Sequence, residues 1–244
     1  GAGLGGDATR CGLTDADGGC DARVDRAWAE LVASNPRYYD APMMALASLD
    51  TADDAARVVL THESYKRFAV QDAASPVETG VTLASVTGRL ALARSCDGSR
   101  GGPLVLGLRH ARTRVYPGVW EHAPSGGLDA ARFAPGTDER ASVLDQLRAE
   151  AREELGIDAD ALCGLGLVAL VHDPRARSID IVVGGSIEMD EDAFRSSIAG
   201  RSWEYADVRT MEVGAFRAWM EREPERINPQ TLALERALVA AGDP

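Results

Sequence analysis

Residues 178–189 of the chain, SIDIVVGGSIEM, are apolar along almost their whole length. A strand with one solvated face alternates apolar and polar side chains, so this run predicts a strand that is buried on both faces. A sheet covered on both faces needs a layer of helices on each side. Other segments typical of strands precede this one, and helical segments lie between and after them. The sequence therefore predicts an α+β fold in which helices flank a mixed central sheet.

Two of the predicted helices have clear end signals. A helix from about Thr137 to Leu155 is predicted to stop at Gly156, because glycine readily adopts the left-handed conformation of a helix C-terminus. The last helix is predicted to begin with Asn228 as its N-cap and Pro229 at its first position. These signals bound the helical segments on either side of the apolar strand.

The N-terminal part of the chain differs from the rest. Residues 1–20 are rich in glycine and aspartate and poor in large apolar side chains, which is typical of a flexible leader. Residues 21–77 are predicted to form an extension that packs on the core, with an amphipathic helix over 21–33 and a strand followed by a short turn or helix over 57–70. Residues 78–244 then form the main domain.

The charge of the chain narrows the classes of partner. There are 26 basic and 38 acidic residues, and the formal net charge is -12. Because this charge repels polyanions, we expect no nucleic-acid partner. A small phosphorylated substrate remains compatible with the charge if a metal ion meets it at the site. A homodimer is one option for the assembly.

The cysteines and the apolar runs of the sequence indicate the cellular compartment of the protein. None of the four cysteines is part of a C-x-x-C pair, so the sequence gives no support for a zinc site. Four cysteines are also few for a disulfide framework in 244 residues. No apolar run has membrane-spanning length, so we expect no membrane partner. The expected location is the cytoplasm.

The stretch AEAREELGID, residues 149–158, concentrates acidic side chains near a helix end. Glu150 shares a helix face with Glu153 and Glu154, and both the like charges and the helix dipole disfavour this arrangement. A divalent cation bound by carboxylate oxygens would offset the repulsion. The other interpretation is a solvated face of mixed charge, in which Arg148 and Arg152 pair with the acids.

The helix end and the turn before it together resemble the Nudix box, G-x5-E-x7-R-E-U-x-E-E-x-G-U, where U is a bulky apolar residue. Over residues 78–241 the order of elements is also similar to that of the Nudix hydrolases. The correspondence places Glu150 on the first helix glutamate and Glu153 and Glu154 on the glutamate pair. Gly156 is followed by the apolar Ile157 at the end of the box, and the opening glycine is Gly127, preceded by Gly126.

Two positions depart from the family pattern. Ala149 stands where the box has its arginine, and Ala141 stands where it has the upstream glutamate. The stretch between the opening glycine and the helix glutamates is also about eight residues longer than in the family. These departures favour a second hypothesis, which is a catalytically impaired Nudix-fold module with a nucleotide-binding or regulatory role. The third option is a globular protein whose acidic helix only faces solvent.

The resemblance implies a Nudix-like α/β/α sandwich and metal-dependent hydrolysis of a pyrophosphate bond in a nucleoside diphosphate derivative. Nucleotide sugars are one substrate option, because the segment NPRYYDAPMMALASLD is similar to one that precedes the box in such members. The implied cofactor is Mg²⁺ or Mn²⁺, bound by Glu150, Glu153, Glu154 and the main chain near Gly127. Either Glu153 or Glu154 would position the attacking water.

Five candidate residues lie outside the helix. Glu188 is the candidate for a base outside the box. Gly126 and Gly127 are the candidate substrate-binding turn, and Arg109 and Trp120 are candidates for contacting a phosphate and stacking on a base. The residue patterns leave an alternative for the last two, since an arginine in a hairpin is often solvated and an aromatic residue at a strand end often belongs to the core.

Overall fold

The computed structural model describes residues 19–36, 38–51, 56–94, 102–134, 136–199 and 204–243. The chain divides into two compact units. One comprises Gly1–Leu83 with Asp129–Ala131, and the other comprises Ala84–Leu128 with Arg132–Pro244. Residues 1–18, which make up most of the predicted leader, lie outside the described residues.

The first unit contains a helix, a β-hairpin and a short second helix: α1 (Gly19–Ser34), β1 (Pro42–Asp50), β2 (Arg57–Ser64) and α2 (Tyr65–Ala69). The predicted helix over 21–33 and the predicted strand at the start of 57–70 are confirmed. Of the turn or helix predicted after that strand, the structure shows a helix. β1 pairs with β2 in antiparallel fashion. Met43 and Ala45 of β1 pack with Phe68 and Val81 in a small core.

The second unit contains most of the strands and four helices: β3 (Leu83–Ala93, whose first residue belongs to the first unit), β4 (Leu104–Arg109), β5 (Trp120–His122), β6 (Ser125–Gly127), α3 (Glu139–Leu155), β7 (Leu162–Asp173), β8 (Ser178–Glu188), α4 (Glu191–Ile198), β9 (Tyr205–Met211), α5 (Val213–Arg222) and α6 (Pro229–Ala240). β3 pairs with β4, β6 and β8, while β4 also pairs with β5 and β9, and β7 pairs with β8. The predicted α+β class is confirmed.

The apolar run SIDIVVGGSIEM forms β8. Each residue from Ser178 to Val183 is buried. Because successive side chains of a strand point to opposite faces, continuous burial means that both faces of β8 are covered here. Two of the buried residues are polar, Ser178 and Asp180, and Asp180 accepts a hydrogen bond from Ser85 of β3. The prediction of a strand buried on both faces is therefore confirmed for this stretch.

Helix α3 is capped at both ends, and its C-terminal cap is the glycine that the sequence predicts. Asp138 Oδ1 accepts hydrogen bonds from the backbone N–H groups of Arg140 and Ala141 and so caps the N-terminus. At the other end Gly156 has a φ of 67°, the left-handed conformation expected of a terminating glycine. The helix begins at Glu139, two residues later than predicted. No helix in the described part of the chain is both long and apolar enough to cross a bilayer.

Helix α6 also begins as predicted, with the Asn228 side chain accepting a hydrogen bond from the N–H of Gln230. One residue of this helix is an unexpected member of the core: Glu235 is fully buried. Its carboxylate accepts hydrogen bonds from Arg89 Nε at 2.6 Å and Arg217 Nε at 3.2 Å. His122 Nε2 lies 3.0 Å from the same group. We call these four residues the buried ion cluster.

The cysteines differ from the sequence-based expectation. Cys20 and Cys163, the two cysteines among the described residues, are both disulfide-bonded. The expectation that four cysteines are too few for disulfides is therefore wrong for these two. The spacing of cysteines along a chain does not determine which of them meet in the fold, so sequence counting misses such bonds.

Candidate active site

The C-terminal half of α3 lies against β6. Leu147, Ala151 and Leu155, spaced four residues apart, are fully buried and form the apolar stripe of the helix. Glu150 and Glu154 each precede a member of this stripe by one residue, so they lie beside it along the helix. The stripe therefore brings both carboxylates to the boundary between the helix and the strand.

Glu150 contacts β6 at a glycine. A Cβ atom placed on Gly126 would lie 2.2 Å from Glu150 Cδ, well inside van der Waals contact. Glycine is thus the residue that lets this carboxyl group rest on the strand. From the other side, Gln146 Nε2 donates a hydrogen bond to Glu150 Oε1 at 2.6 Å. The Glu150 side chain is held between a strand backbone and a neutral amide.

Glu154 is buried, with 6% of its surface exposed. Its Oε2 accepts a hydrogen bond from the backbone N–H of Ser125 at 3.0 Å. Its Oε1 is buried without a donor, and the neighbouring group is the carboxyl of Glu204, close enough for a hydrogen bond if one of the two is protonated. Two ionised carboxylates can only accept, so this contact needs either a shared proton or a cation.

The pKa values of both helix glutamates reflect this shortage of positive charge. Burial, followed by interaction with Glu204 and Glu150, raises the pKa of Glu154 well above its usual range. Burial is also the main reason that the pKa of Glu150 rises to about 7, with repulsion from Glu153 and Glu204 adding to it. Such clusters of raised pKa are frequent at functional sites.

A polar network surrounds Ser125, the residue whose N–H binds Glu154. Ser125 Oγ is 3.3 Å from Glu121 Oε1 and 3.4 Å from the Tyr205 hydroxyl. Glu121 is in turn fixed by Arg109 Nη1 and Asn228 Nδ2, each at 2.6 Å. The backbone N–H that binds Glu154 thus belongs to a residue whose side chain is itself held on two sides. Networks of this kind fix the orientation of the groups they contact.

Two of the predicted substrate contacts are occupied within the protein. The guanidinium of Arg109 binds Glu121 and the carbonyl oxygen of Val115. Trp120 is 2% exposed and packs on Trp219, and Arg209 covers its ring at 3.9 Å from the ring centroid. The prediction that Trp120 stacks on a base and Arg109 contacts a phosphate is corrected, because both side chains are committed to internal partners.

The other predicted residues are spread more widely. Glu153 is exposed on α3, although its charge still raises the pKa of Glu150. Gly127 is exposed at the end of β6, and Glu188 is exposed at the end of β8. The structure therefore brings together Glu150, Glu154 and Gly126 of the predicted set. The roles given to Glu153, Gly127 and Glu188 stay predictions.

The arginines of α3 do not neutralise the helix glutamates in the way the mixed-charge interpretation required. Arg148 Nη1 pairs with Asp145 at 2.8 Å, and Arg152 Nε pairs with Asp158 at 3.5 Å. Ala141 and Ala149, which replace charged residues of the family box, add no charge. The acidic side of the helix that meets β6 is thus left without the partners that its own sequence offered.

The side chains present fit a Mg²⁺ site that is completed by water and phosphate oxygens better than a metal site built from protein ligands alone. Among the described residues, no group of three or more His, Cys, Asp or Glu side chains could hold a metal ion. Mg²⁺, however, commonly binds one or two protein carboxylates and completes its shell with water and phosphate oxygens. Glu150 and Glu154 meet that smaller requirement, and the donor-free Glu154 Oε1 is an oxygen that a cation would satisfy.

Four contributors to the site were not found from the sequence: Gln146, Ser125, Glu204 and Tyr205. Gln146 could have been found, because it lies four residues before Glu150 and shares its helix face. Ser125 directly precedes the Gly-Gly pair and could have been included with it. Glu204 and Tyr205 lie about fifty residues further along the chain, at the start of β9, and only the folded sheet brings them here.

Comparisons with known proteins give structural neighbours alone. No protein-family model matches the chain, and no curated protein matches it. Similar solved structures include a MutT protein from Methanosarcina mazei Go1, with 16% identity, coverage of 66% of this chain and 96% of that one, and a TM-score of 0.46. A Nudix hydrolase from Alicyclobacillus acidocaldarius has 11% identity, coverage of 65% and 91%, and a TM-score of 0.47.

A third similar structure is a Nudix hydrolase from Nitrosomonas europaea, with 13% identity, coverage of 66% of this chain and 90% of that one, and a TM-score of 0.43. Since unrelated functions share folds, the function of this chain is inferred from its own site.

Proposed function

We propose that this protein is a Nudix-type enzyme that hydrolyses the pyrophosphate bond of a nucleoside diphosphate derivative and depends on Mg²⁺ or Mn²⁺. The observation that carries the proposal is the buried Glu154, whose Oε1 has no donor and whose neighbours Glu150 and Glu204 raise its pKa. A fold gains nothing in stability from gathering like charges without a counter-charge. The arrangement is explained if a cation and a phosphorylated substrate complete it.

Glu150 and Glu154 are the side chains that would hold the ion. When bound, the ion would neutralise charge on the pyrophosphate and acidify a water molecule. The chain itself supplies orientation: the N–H of Ser125 fixes one oxygen of Glu154, and Gln146 fixes one oxygen of Glu150. Because the raised pKa values favour protonation of these carboxyls in the metal-free protein, cation binding at neutral pH is expected to release protons.

The substrate class follows from charge as well as from resemblance. The formal net charge of -12 opposes binding of a free polyanion. A pyrophosphate that shares a divalent cation with two carboxylates enters without that penalty. A nucleoside diphosphate joined to a second group, with nucleotide sugars among the options, has this one pyrophosphate and is the class we propose.

The test is hydrolysis of a panel of nucleoside diphosphate derivatives with Mg²⁺, followed by phosphatase treatment and measurement of released phosphate. We expect activity that EDTA abolishes and that Glu154→Gln lowers by about 100-fold or more, because charge stabilisation by a bound metal ion contributes several kcal/mol. Glu225→Gln, the same change at an exposed residue, is the matched control and should retain full activity. A panel without metal-dependent turnover would exclude the enzyme.

A nucleotide-binding module without turnover is the second candidate. Two observations favour it: Ala149 replaces the arginine of the family box, and the described residues lack a three-ligand metal group. Ligand-induced thermal stabilisation of the wild-type protein, without any product from the same nucleotide, would support this candidate. Turnover would exclude it.

A further inference from the structure

We propose that Gln146 is a positioning residue, which holds the Glu150 carboxylate in its ion-binding orientation and takes the place of a cationic partner on this helix. The inference rests on the proposed function, because it assigns a role to Glu150 as an ion ligand. It goes further in naming a neutral amide as the group on which that ligand depends.

The first support is the contact itself. Gln146 Nε2 lies 2.6 Å from Glu150 Oε1, a short distance that is typical of a hydrogen bond to an ionised acceptor. The two residues are four apart on α3, so the helix itself sets the reach of the contact. Gln146 is 5% exposed, and the contact is therefore shielded from water.

The second support is what Glu150 would do without the contact. Its charge is repelled by Glu153 and Glu204, and the attraction of Arg132 is the weakest of the three effects. Its carboxyl lies over Gly126, where the strand offers no side chain to hold it. The nearest arginines along the helix, Arg148 and Arg152, are paired with Asp145 and Asp158. A donor from Gln146 opposes the repulsion and keeps the carboxyl on the strand.

The third support is the division of the two carboxylate oxygens. Gln146 binds Oε1 of Glu150, just as the Ser125 N–H binds Oε2 of Glu154. Each glutamate thus has one oxygen fixed by a protein donor and one left for a ligand. Outer partners that orient metal ligands in this way change metal affinity by 10- to 100-fold when they are removed.

The experiment measures Mn²⁺ binding by titration calorimetry without substrate, together with kcat and KM. Gln146→Met keeps the length and the burial of the side chain but removes the donor. We expect about 10-fold weaker Mn²⁺ binding and a lower kcat at saturating nucleotide. Gln230→Met is the matched control, since the amide of Gln230, on α6, donates to Ser178 of β8 rather than to the site, and this variant should bind Mn²⁺ like the wild type.

A double-mutant cycle separates positioning from general damage. If Gln146 acts through Glu150, the double variant Gln146→Met/Glu150→Gln should bind Mn²⁺ no more weakly than Glu150→Gln alone. Wild-type affinity in Gln146→Met, or fully additive losses in the cycle, would overturn the inference while leaving the enzyme in place. A wild-type protein that neither binds Mn²⁺ nor hydrolyses the panel would overturn the proposed function, and this inference with it.

Discussion

Two buried glutamates of the same unit have opposite surroundings. Glu235 on α6 meets two arginines and a histidine, whereas Glu154 on α3 meets two other glutamates. Burial raises the pKa of both groups, but hydrogen bonds from His122 and Arg89 outweigh it for Glu235 and hold its pKa far below the usual range. At Glu154 the neighbours add to burial and raise the pKa further.

The difference separates a carboxylate that serves the fold from one that serves a ligand. In the buried ion cluster the charge is complete within the protein, so its loss would be felt in stability. Around Glu154 the charge is incomplete, so the protein is expected to gain stability when that charge is removed and to lose function. Strained or uncompensated groups of this kind concentrate at functional sites.

The largest effect is expected for Glu235→Gln. The change removes the buried partner of Arg89 and Arg217, which then pair only with Asp243, whose side chain is 35% exposed. Breaking a buried ion pair from one side costs about 3–5 kcal/mol, and because Asp243 remains we expect a loss of about 3 kcal/mol in the free energy of unfolding at pH 7. Urea denaturation of the wild type and the variant measures it.

Glu225→Gln is the control for this experiment, since an exposed glutamate should change stability by no more than about 0.5 kcal/mol. If the Glu235 variant were as stable as the control, the buried ion cluster would not be needed for stability. The contrast between a stabilising Glu235 and a ligand-binding Glu154 would then fail.

The second prediction concerns the pH dependence of stability in EDTA. A depressed folded-state pKa, as at Glu235, gives stability that is present above the ordinary value of 4.5 and is lost as the pH falls below it. A raised folded-state pKa acts in the opposite sense. Between about pH 4.5 and 7 the folded protein keeps a proton on Glu150 that the unfolded chain releases, so stability falls as the pH rises through this range.

We expect the site to contribute a loss on the order of 1–3 kcal/mol between pH 4.5 and 8, since one unit of pKa shift is worth about 1.4 kcal/mol. Urea denaturation at a series of pH values measures both arms of the profile. Glu235→Gln should reduce the loss of stability as the pH falls below 4.5. Glu150→Gln should reduce the loss of stability as the pH rises from about 4.5 to 7. If Glu150→Gln left the profile unchanged, the carboxyl would have an ordinary pKa and the site would not be strained.

A smaller effect of opposite sign is expected for Glu154→Gln. The amide keeps the shape and can still accept from the Ser125 N–H, while the repulsion with Glu150 and Glu204 disappears. We expect the free energy of unfolding to rise by about 1 kcal/mol at pH 8 without metal, the value of roughly one unit of pKa. Thermal melts should show this rise together with the loss of stabilisation by Mg²⁺. A clear destabilisation would mean that Glu154 serves the fold.

The smallest change in stability is expected for Gly126→Ala. The new methyl group would meet the end of the flexible Glu150 side chain, which can move at a cost below about 1 kcal/mol. The displaced carboxyl should lower kcat/KM by about 100-fold, because a shift of about 1 Å has effects of that size. Gly166→Ala, where a Cβ meets no atom within 4 Å, is the control. Equal activity in the two variants would place Glu150 outside the site.

Much of the fold could be predicted from the sequence, because the residues that mark helix ends and buried strands are close together in the chain. The caps Asn228 and Gly156 and the apolar run in β8 depend on residues close in the chain, and each was found where expected. The site was predicted in part for the same reason, since Glu150 and Glu154 lie on one helix. Periodicity identifies such pairs directly.

The rest of the site depends on contacts between distant segments. Glu204 reaches Glu154 through the pairing of β9 with β4, and no spacing rule predicts which acid will arrive there. Arg109 and Trp120 were assigned to the substrate because charge and aromaticity suit it, but Glu121 and Trp219 already occupy them. Composition shows what a side chain can bind, and the fold determines what it does bind.

The two site carboxylates stand one helical turn apart on a segment that is fastened at both ends, by Asp138 and by Gly156. Four residues of an α-helix rise by about 6 Å along its axis, so the helix fixes the distance between the two glutamates along that axis. One residue inserted between Glu150 and Glu154 would turn the second carboxylate by roughly 100° around the axis and move it off β6. Variation in this protein is thus free to lengthen the loop before α3, whereas the interval between the two glutamates is fixed by the pitch of the helix.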